Sequence, residues 1–428
     1  MKNNKIVMTR RDIIKTASVS AAVLASGSSK LFAAGHEELK IALVGCGGRG
    51  NGALRDHIAA AKAVGTNVKI VALADFFLDK AKATAKEHGV SEDICYGGAT
   101  GYKNVMSSGA DLVLLVTPPN FRPLHLEAAV KAGMHVFMEK PVAVDPPGAR
   151  RIIAAGEKAK AAGLSIVAGT QRRHQGDYLR TYDLVQKGVI GEIKGGEVFW
   201  CGGKLWHRDR KEDESDASYL VRNWVNFTEM SGDHIVEQHV HNIDVANWFI
   251  GRLPVAALGF GSRSRRVTGN QYDSFSVDFD YGEGVHIHSM CRQINGCYNR
   301  VAEHFVGTKG DTWASNAPKD IDPAIKPAEI KTHDNPYVQE HIDLLNAVKS
   351  GKPINEAYNV AASTMCGIMG RISAYTGQMV RMSDLMTNEQ SPFYSMTLKL
   401  TAEDFETGNV FTPQEETAPL PGEAWKPA

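Results

Sequence analysis

One hexapeptide constrains this chain more than any other stretch: Gly45-Cys46-Gly47-Gly48-Arg49-Gly50. A short apolar run, Leu39-Lys40-Ile41-Ala42-Leu43-Val44, precedes it, and an alanine-rich helix over residues 53–64 is expected after it. Apolar, partly β-branched runs of this length mark strands buried on both faces of a parallel sheet. A second such run, residues 68–74, ends in Asp75. In a strand–loop–helix unit the glycines permit a tight turn and a close backbone approach to a pyrophosphate on the helix N-terminus. An acid ending the second strand can accept hydrogen bonds from ribose hydroxyls.

The alternation continues. Helices are expected over 78–88, 124–132 and 147–162, and strands over 111–116, 135–138 and 165–168. Two turns lie at the carboxyl ends of these strands, Thr117-Pro118-Pro119-Asn120 and Glu139-Lys140-Pro141. The fold class expected is α/β: an N-terminal Rossmann unit with a doubly wound parallel sheet, binding its ligand at the carboxyl edge. The candidate cofactor-binding residues are Gly45, Gly47, Gly48, Arg49, Gly50, Asp75, Thr117, Pro118, Asn120, Glu139 and Lys140. Because Phe76-Phe77 follow Asp75, a 2′-phosphate would face a carboxylate without an evident counter-charge. NAD is therefore expected over NADP, although Arg49 is in reach of a phosphate.

After Thr170 the pattern changes to strands at 194–202, 255–264, 275–281, 285–291 and 302–307, with a hairpin turn at Tyr281-Gly282-Glu283-Gly284. They predict a C-terminal α+β domain with an open, mainly antiparallel sheet, followed by helices over 337–350 and 360–376. The charged segment 204–218 is expected as an exposed loop covering the crevice. Residues 393–400 are read as a further strand, and the last fifteen as a loose tail. The domains expected are 35–169, 170–385 and an extension, 386–428.

Composition excludes other classes. The 428 residues carry 48 Lys+Arg against 48 Asp+Glu, whereas a nucleic-acid binder needs a net positive footprint. No stretch approaches the roughly 20 apolar residues of a membrane span. The six cysteines form no C-x-x-C and read as small buried hydrophobes. The opening Thr9-Arg10-Arg11-Asp12-Ile13-Ile14-Lys15, with a small-residue run over 17–26, resembles a twin-arginine (Tat) export signal ending near residue 34. That resemblance implies the Tat machinery as a partner and a periplasmic destination.

The motifs together resemble the Gfo/Idh/MocA oxidoreductases, which include glucose–fructose oxidoreductase and inositol dehydrogenase. The glycine loop, the Thr117 turn and Glu139-Lys140-Pro141 recur there in this order. Gln171-Arg172-Arg173-His174, residues 187–193, His241-Asn242-Ile243-Asp244 and Gly307-Thr308-Lys309-Gly310 extend the match over about residues 38–380. The resemblance implies a bound nicotinamide dinucleotide, oxidation of a sugar or polyol ring hydroxyl, Lys140 in the active site, a homo-oligomer and no metal.

The residues support these roles chemically. An ammonium at Lys140, ending a parallel strand, can hydrogen-bond a substrate hydroxyl and stabilise a developing alkoxide. Glu237, His241, Asp244 and Trp248 share one face of an expected continuous helix, with Glu237 orienting His241 as its acid/base partner. Relatives usually carry Asp where Glu237 stands. Arg172, Trp224, Asp244 and His288 are the substrate-binding candidates, with Trp200, Trp206, His207, Arg222 and Asn223 as further pocket residues. The His239/His241 and His286/His288 pairs have metal-ligand spacing, but no H-E-x-x-H or cysteine cluster accompanies them.

The function expected is an exported sugar oxidoreductase with a tightly held cofactor. One alternative is an NAD-dependent, redox-neutral glycoside hydrolase that oxidises, eliminates and reduces again. The other is a non-catalytic sugar-binding protein.

Overall fold

A computed structural model describes residues 38–318, 321–322 and 324–422. The expected export signal lies outside them. The N-terminal half runs β1 (Glu38–Val44), α1 (Gly48–Ala63), β2 (Asn67–Asp75), α2 (Leu78–Glu87), β3 (Cys95–Gly97), α3 (Gly101–Met106), β4 (Leu112–Leu115), α4 (Arg122–Lys131), β5 (His135–Met138), α5 (Pro146–Ala161) and β6 (Ile166–Ala168). Its six strands are parallel in the order β3-β2-β1-β4-β5-β6. Winding reverses between β1 and β4, which opens a crevice at their carboxyl ends. The short β3 was not expected, because half-buried Cys95-Tyr96-Gly97 carries no apolar run.

The chain continues through α6 (Gly176–Gln186), β7 (Ile193–Gly202), α7 (Asp216–Arg222), α8 (Thr228–Ser231), α9 (His234–Glu237), α10 (Val240–Ile250), β8 (Ala256–Ser262), β9 (Ser274–Asp280), β10 (His286–Gln293), β11 (Arg300–Gly307) and β12 (Asp311–Trp313). It ends with α11 (Pro336–Ser350), α12 (Ala357–Thr376), β13 (Val380–Arg381), α13 (Met382–Met386) and α14 (Ala402–Thr407). The second sheet has the order β12-β11-β7-β10-β9-β8-β13 and is antiparallel except where β7 pairs with β10. One face packs Val198, Val277, Phe279, Ile287 and Phe305 against the helices that carry Val236, Phe249, Met365 and Met369. The opposite face exposes Leu258 and Phe260, the latter at 71%.

Two connections lock the halves together. Val338, Leu344, Leu345 and Val348 of α11 join Leu43, Leu54 and Ala61 in the core beneath the first sheet. Ile166 N donates to Ile354 O at 2.8 Å, so the chain entering α12 covers the open edge of β6. Residues 393–400 form turns instead of the expected strand, and the segment expected as a loose tail bonds the second domain through Glu415, Glu416 and Pro419. Cys46, Cys291 and Cys366 are buried, while Cys297 is exposed and departs from the expectation for these thiols.

Candidate active site

The glycine loop follows β1 at the crevice. Gly45 has φ 103°, and a Cβ there would lie 2.6 Å from the Val116 carbonyl carbon. A Cβ on Gly50 would lie 1.7 Å from Gly45 O, so neither position tolerates a side chain. At Gly47 and Gly48 a Cβ would meet nothing within 4 Å, which leaves the outer side of the loop open. Helix α1 begins here with no side-chain cap, so its first N–H groups are free to receive phosphate.

Asp75 closes this end of the crevice. Its carboxylate accepts from Cys46 N at 2.8 Å and from Phe77 N at 2.9 Å. A carboxylate has about four acceptor positions, so capacity remains for ribose hydroxyls. Burial raises its pKa, against the lowering by these N–H groups. These residues fit a dinucleotide. Arg49 does not reach outward: its guanidinium bonds Glu139 (2.5 Å), Asp56 (3.1 Å) and Glu340 (3.3 Å) and lies over the Tyr337 ring. Three carboxylates thus engage the one basic side chain of the loop, and its expected reach to a phosphate is not seen.

The turn after β4 is similarly engaged. Thr117 Oγ1 lies 3.2 Å from both Arg122 Nη1 and His125 Nδ1. Pro118 leads into a 3₁₀ turn at Pro119–Phe121. Asn120, 7% exposed, donates to Leu400 O and to Met230 Sδ. After β5, Glu139 holds Arg49 and accepts from Lys140 N at 3.1 Å, and the Lys140–Pro141 peptide is cis.

Lys140 Nζ donates to Glu237 Oε1 at 3.0 Å and to Glu237 O at 2.7 Å. An ammonium has three donors, so one is left for the crevice. This pairing departs from the expected one between Glu237 and His241. The continuous helix is not formed: α9 ends at Glu237, and Gln238 and His239 turn the chain before α10 begins. The break separates the two faces, and a largely buried ammonium takes the nearest carboxylate as its counter-charge.

His241 instead stacks on Trp200, with ring centroids 5.6 Å apart and planes at 20°. It is 7% exposed, and its Nδ1 has no hydrogen-bond partner. Burial, then the charges of Lys140, Arg172 and Arg49, hold its pKa well below the ordinary histidine value. The imidazole is therefore neutral, and its buried Nδ1 is unpartnered.

Arg172 lies 5.6 Å above the Trp200 ring and pairs with Glu303, which also accepts from Tyr178 Oη (3.0 Å) and Asn242 Nδ2 (2.7 Å). This support for Arg172 was not legible beforehand, since Tyr178, Asn242 and Glu303 lie far apart in the chain. Asp244, 2% exposed, forms a two-point pair with Arg173 at 2.7 and 2.9 Å and accepts from Ser363, inside the protein. Trp224 packs in the apolar cluster of Phe121, Tyr219 and Phe227. His288 is on the outer face of the second sheet, bonded to Ser276, because its neighbours Ile287 and Ser289 take the core side. The structure thus gathers Lys140, Glu237, His241, Trp200 and Arg172, and places Asp244, Trp224 and His288 in other surroundings.

Among the described residues no group of three or more His, Cys, Asp or Glu side chains is arranged to hold a metal, and no helix is long and apolar enough to cross a membrane. His239 bonds Ser289, and His286 pairs with Asp278.

Residues 39–166 match the model of an oxidoreductase family with an NAD-binding Rossmann fold, and residues 178–312 match the GFO/IDH/MocA C-terminal domain. The inositol 2-dehydrogenase of Ralstonia nicotianae is 26% identical over 253 residues, 58% of this chain and 66% of that protein. The 2,7-anhydro-N-acetylneuraminate hydratase of Escherichia coli is 28% identical over 215 residues, 48% of this chain and 52% of the relative. The matched stretch therefore spans less than two thirds of either curated relative. The WlbA dehydrogenase of Bordetella pertussis, solved with NADH and UDP-GlcNAcA, has the same fold: TM-score 0.63, 18% identity, 80% of this chain and 98% of that one.

Proposed function

Because the chain belongs to the Gfo/Idh/MocA family, whose N-terminal domain binds NAD, we propose that it oxidises a ring hydroxyl of a sugar or polyol. The observation that carries this reading is the arrangement around Lys140. Glu237 holds two of the ammonium's donors, and the third is free at the carboxyl end of β5. That donor would grip the substrate oxygen as negative charge develops on it. The neutral His241 ring beside it would accept the hydroxyl proton. NAD, when bound, supplies the hydride acceptor. Trp200 offers a flat face for a sugar ring, and Arg172 is fixed next to it.

Export through the Tat route, proposed from Arg10-Arg11, demands a cofactor that stays bound, because a periplasm offers no evident pool of free NAD. A second sugar or a redox-neutral cycle would then restore it. The relative named as a hydratase favours keeping that second reading, in which oxidation activates a glycosidic bond and reduction follows its cleavage. Exposed Leu258 and Phe260 on the open sheet face support a homo-oligomer.

The test is to incubate the purified, NAD-loaded protein with a panel of sugars, polyols and aryl glycosides. Lasting absorbance of reduced cofactor supports the dehydrogenase; released aglycone without net reduction supports the hydrolase. Sugar binding with neither reaction, and no NAD binding, returns the non-catalytic role. Fractionation of cells expressing the Arg10→Lys, Arg11→Lys chain tests export, with retention in the cytoplasm expected.

A further inference from the structure

Residues 387–422 leave the second sheet and run back over the carboxyl edge of the first. Arg150 stacks on Tyr394 at 3.6 Å and donates to Tyr394 O, and Leu398 N donates to Asp145 at 3.0 Å. The chain turns at Leu400, whose φ of 72° is rare for a residue with a branched side chain. Leu400 O then accepts from Asn120, in the turn after β4. Phe405 of α14 is 5% exposed and meets Phe121 edge-on at 4.9 Å and Phe76 at 6.4 Å. Glu406 accepts from Tyr102 Oη (2.7 Å) and Lys103 Nζ (2.8 Å) on α3. Beyond it, Thr412 bonds Asp216, Glu415 accepts from Tyr219 and Gly269, and Tyr272 Oη donates to Pro419 O.

The position of these contacts matters. Phe76 directly follows Asp75, the acid placed for the ribose, and Asn120-Phe121 lie across the switch point from it. In a doubly wound fold the adenosine half of a dinucleotide lies along this part of the edge. The three aromatic rings therefore meet beside Asp75, the residue read as the ribose acid.

We propose that the C-terminal strap, through Phe405 against Phe76 and Phe121, forms the outer wall of the adenosine subsite and slows release of NAD. The proposal rests on the NAD-binding reading and adds a part of the chain outside the Rossmann unit to that site. Release of cofactor then requires α14 to lift, which breaks the Glu406 bonds and exposes Phe405. A strap anchored on both domains suits an enzyme that must keep its cofactor between turnovers.

The test uses the full chain, a chain ending at residue 390, and the point variants Phe405→Ala and Phe405→Leu. Each is loaded with NADH, and the fluorescence decay after a chase of unlabelled NAD gives the release rate; melting temperature is read alongside. Release about tenfold or more faster in Phe405→Ala is expected, with Phe405→Leu between it and the native chain. If the shortened chain does not fold, the two point variants decide the matter. A lowered melting temperature with unchanged release overturns the proposal and makes the strap a structural tie alone. Slower release or tighter binding on removing the strap also overturns it, since the strap would then be competing for the subsite. In both cases NADH still binds and the wider reading stands; failure of every form to bind NADH overturns both.

Discussion

Lys140 Nζ lies 3.0 Å from Glu237 Oε1 and 2.7 Å from the same residue's main-chain oxygen. Glu237 thus holds the ammonium by two bonds, one of which no side-chain substitution removes. Replacing Lys140 with Met is expected to lower kcat by about 10²–10⁴-fold with NADH affinity little changed. Glu237→Gln keeps an acceptor near Nζ and should fall less, by roughly tenfold, chiefly in kcat. Steady-state kinetics with fluorescence titration of NADH separates the two effects; equal losses of cofactor affinity and rate would make the pair structural.

His241 offers a prediction in pH. Burial and three nearby cations keep its pKa well below the ordinary value, so the neutral base persists as pH falls through 6.5. The rate should show no histidine limb between about pH 6 and 8. His241→Asn should lower kcat by about 10²-fold or more without introducing one. A native profile that falls on acidification through about pH 6.5, and a flat one in the variant, would contradict this placement.

Asp75 anchors the glycine loop through Cys46 N and, in the function proposed, would accept from the ribose hydroxyls. Asp75→Ala is therefore expected to weaken NADH binding by about 10–100-fold, the cost of losing hydrogen bonds to a charged acceptor. NADPH, repelled by the native carboxylate, should lose less, so the preference between the two narrows. Titration of both cofactors against both proteins measures it.

His174 lies between Asp343 (2.6 Å) and Glu356 (3.3 Å). Burial opposes its charge, but Glu356 and Asp343 prevail and its pKa rises to about 10 from an ordinary 6.5. The folded state binds this proton more tightly than the unfolded chain does. Its stabilisation is therefore complete below about pH 6.5 and drains away as pH rises to about 10. Urea unfolding at pH 6, 8 and 10 should show that decline. His174→Gln should flatten it and cost about 1–3 kcal/mol at pH 6, since Asp343 is partly solvated and Glu356 keeps Arg173 and Ala168 N–H beside it.

How far the sequence carried the site depended on whether each residue's role is local. Gly45 and Gly50 were legible because the turn between a buried strand and a helix is made within a few residues. The positions of Asp75 and Lys140 at strand carboxyl ends were legible in the apolar runs before them, whereas a catalytic role for Lys140 was implied only by the family resemblance. The acid/base partnership was not. Helical spacing alone placed Glu237 under His241, and only the break at Gln238–His239 showed that Glu237 turns to Lys140. Asp244 read as a pocket acid from the same spacing, yet Arg173 claims it.

By itself, the sequence determined the succession of strands and helices in the parallel sheet, short β3 and α3 apart, and with it the place of the crevice. Those follow from burial patterns and turn geometry encoded over short windows. Only the tertiary structure decided which charges pair. Arg49 went to Glu139, Asp56 and Glu340, Glu237 to Lys140, and the C-terminal strap to the rim of Phe76, Asn120 and Phe121. A charge entering a low-dielectric interior takes whichever partner the fold brings within about 3 Å, and distance along the chain says little about that.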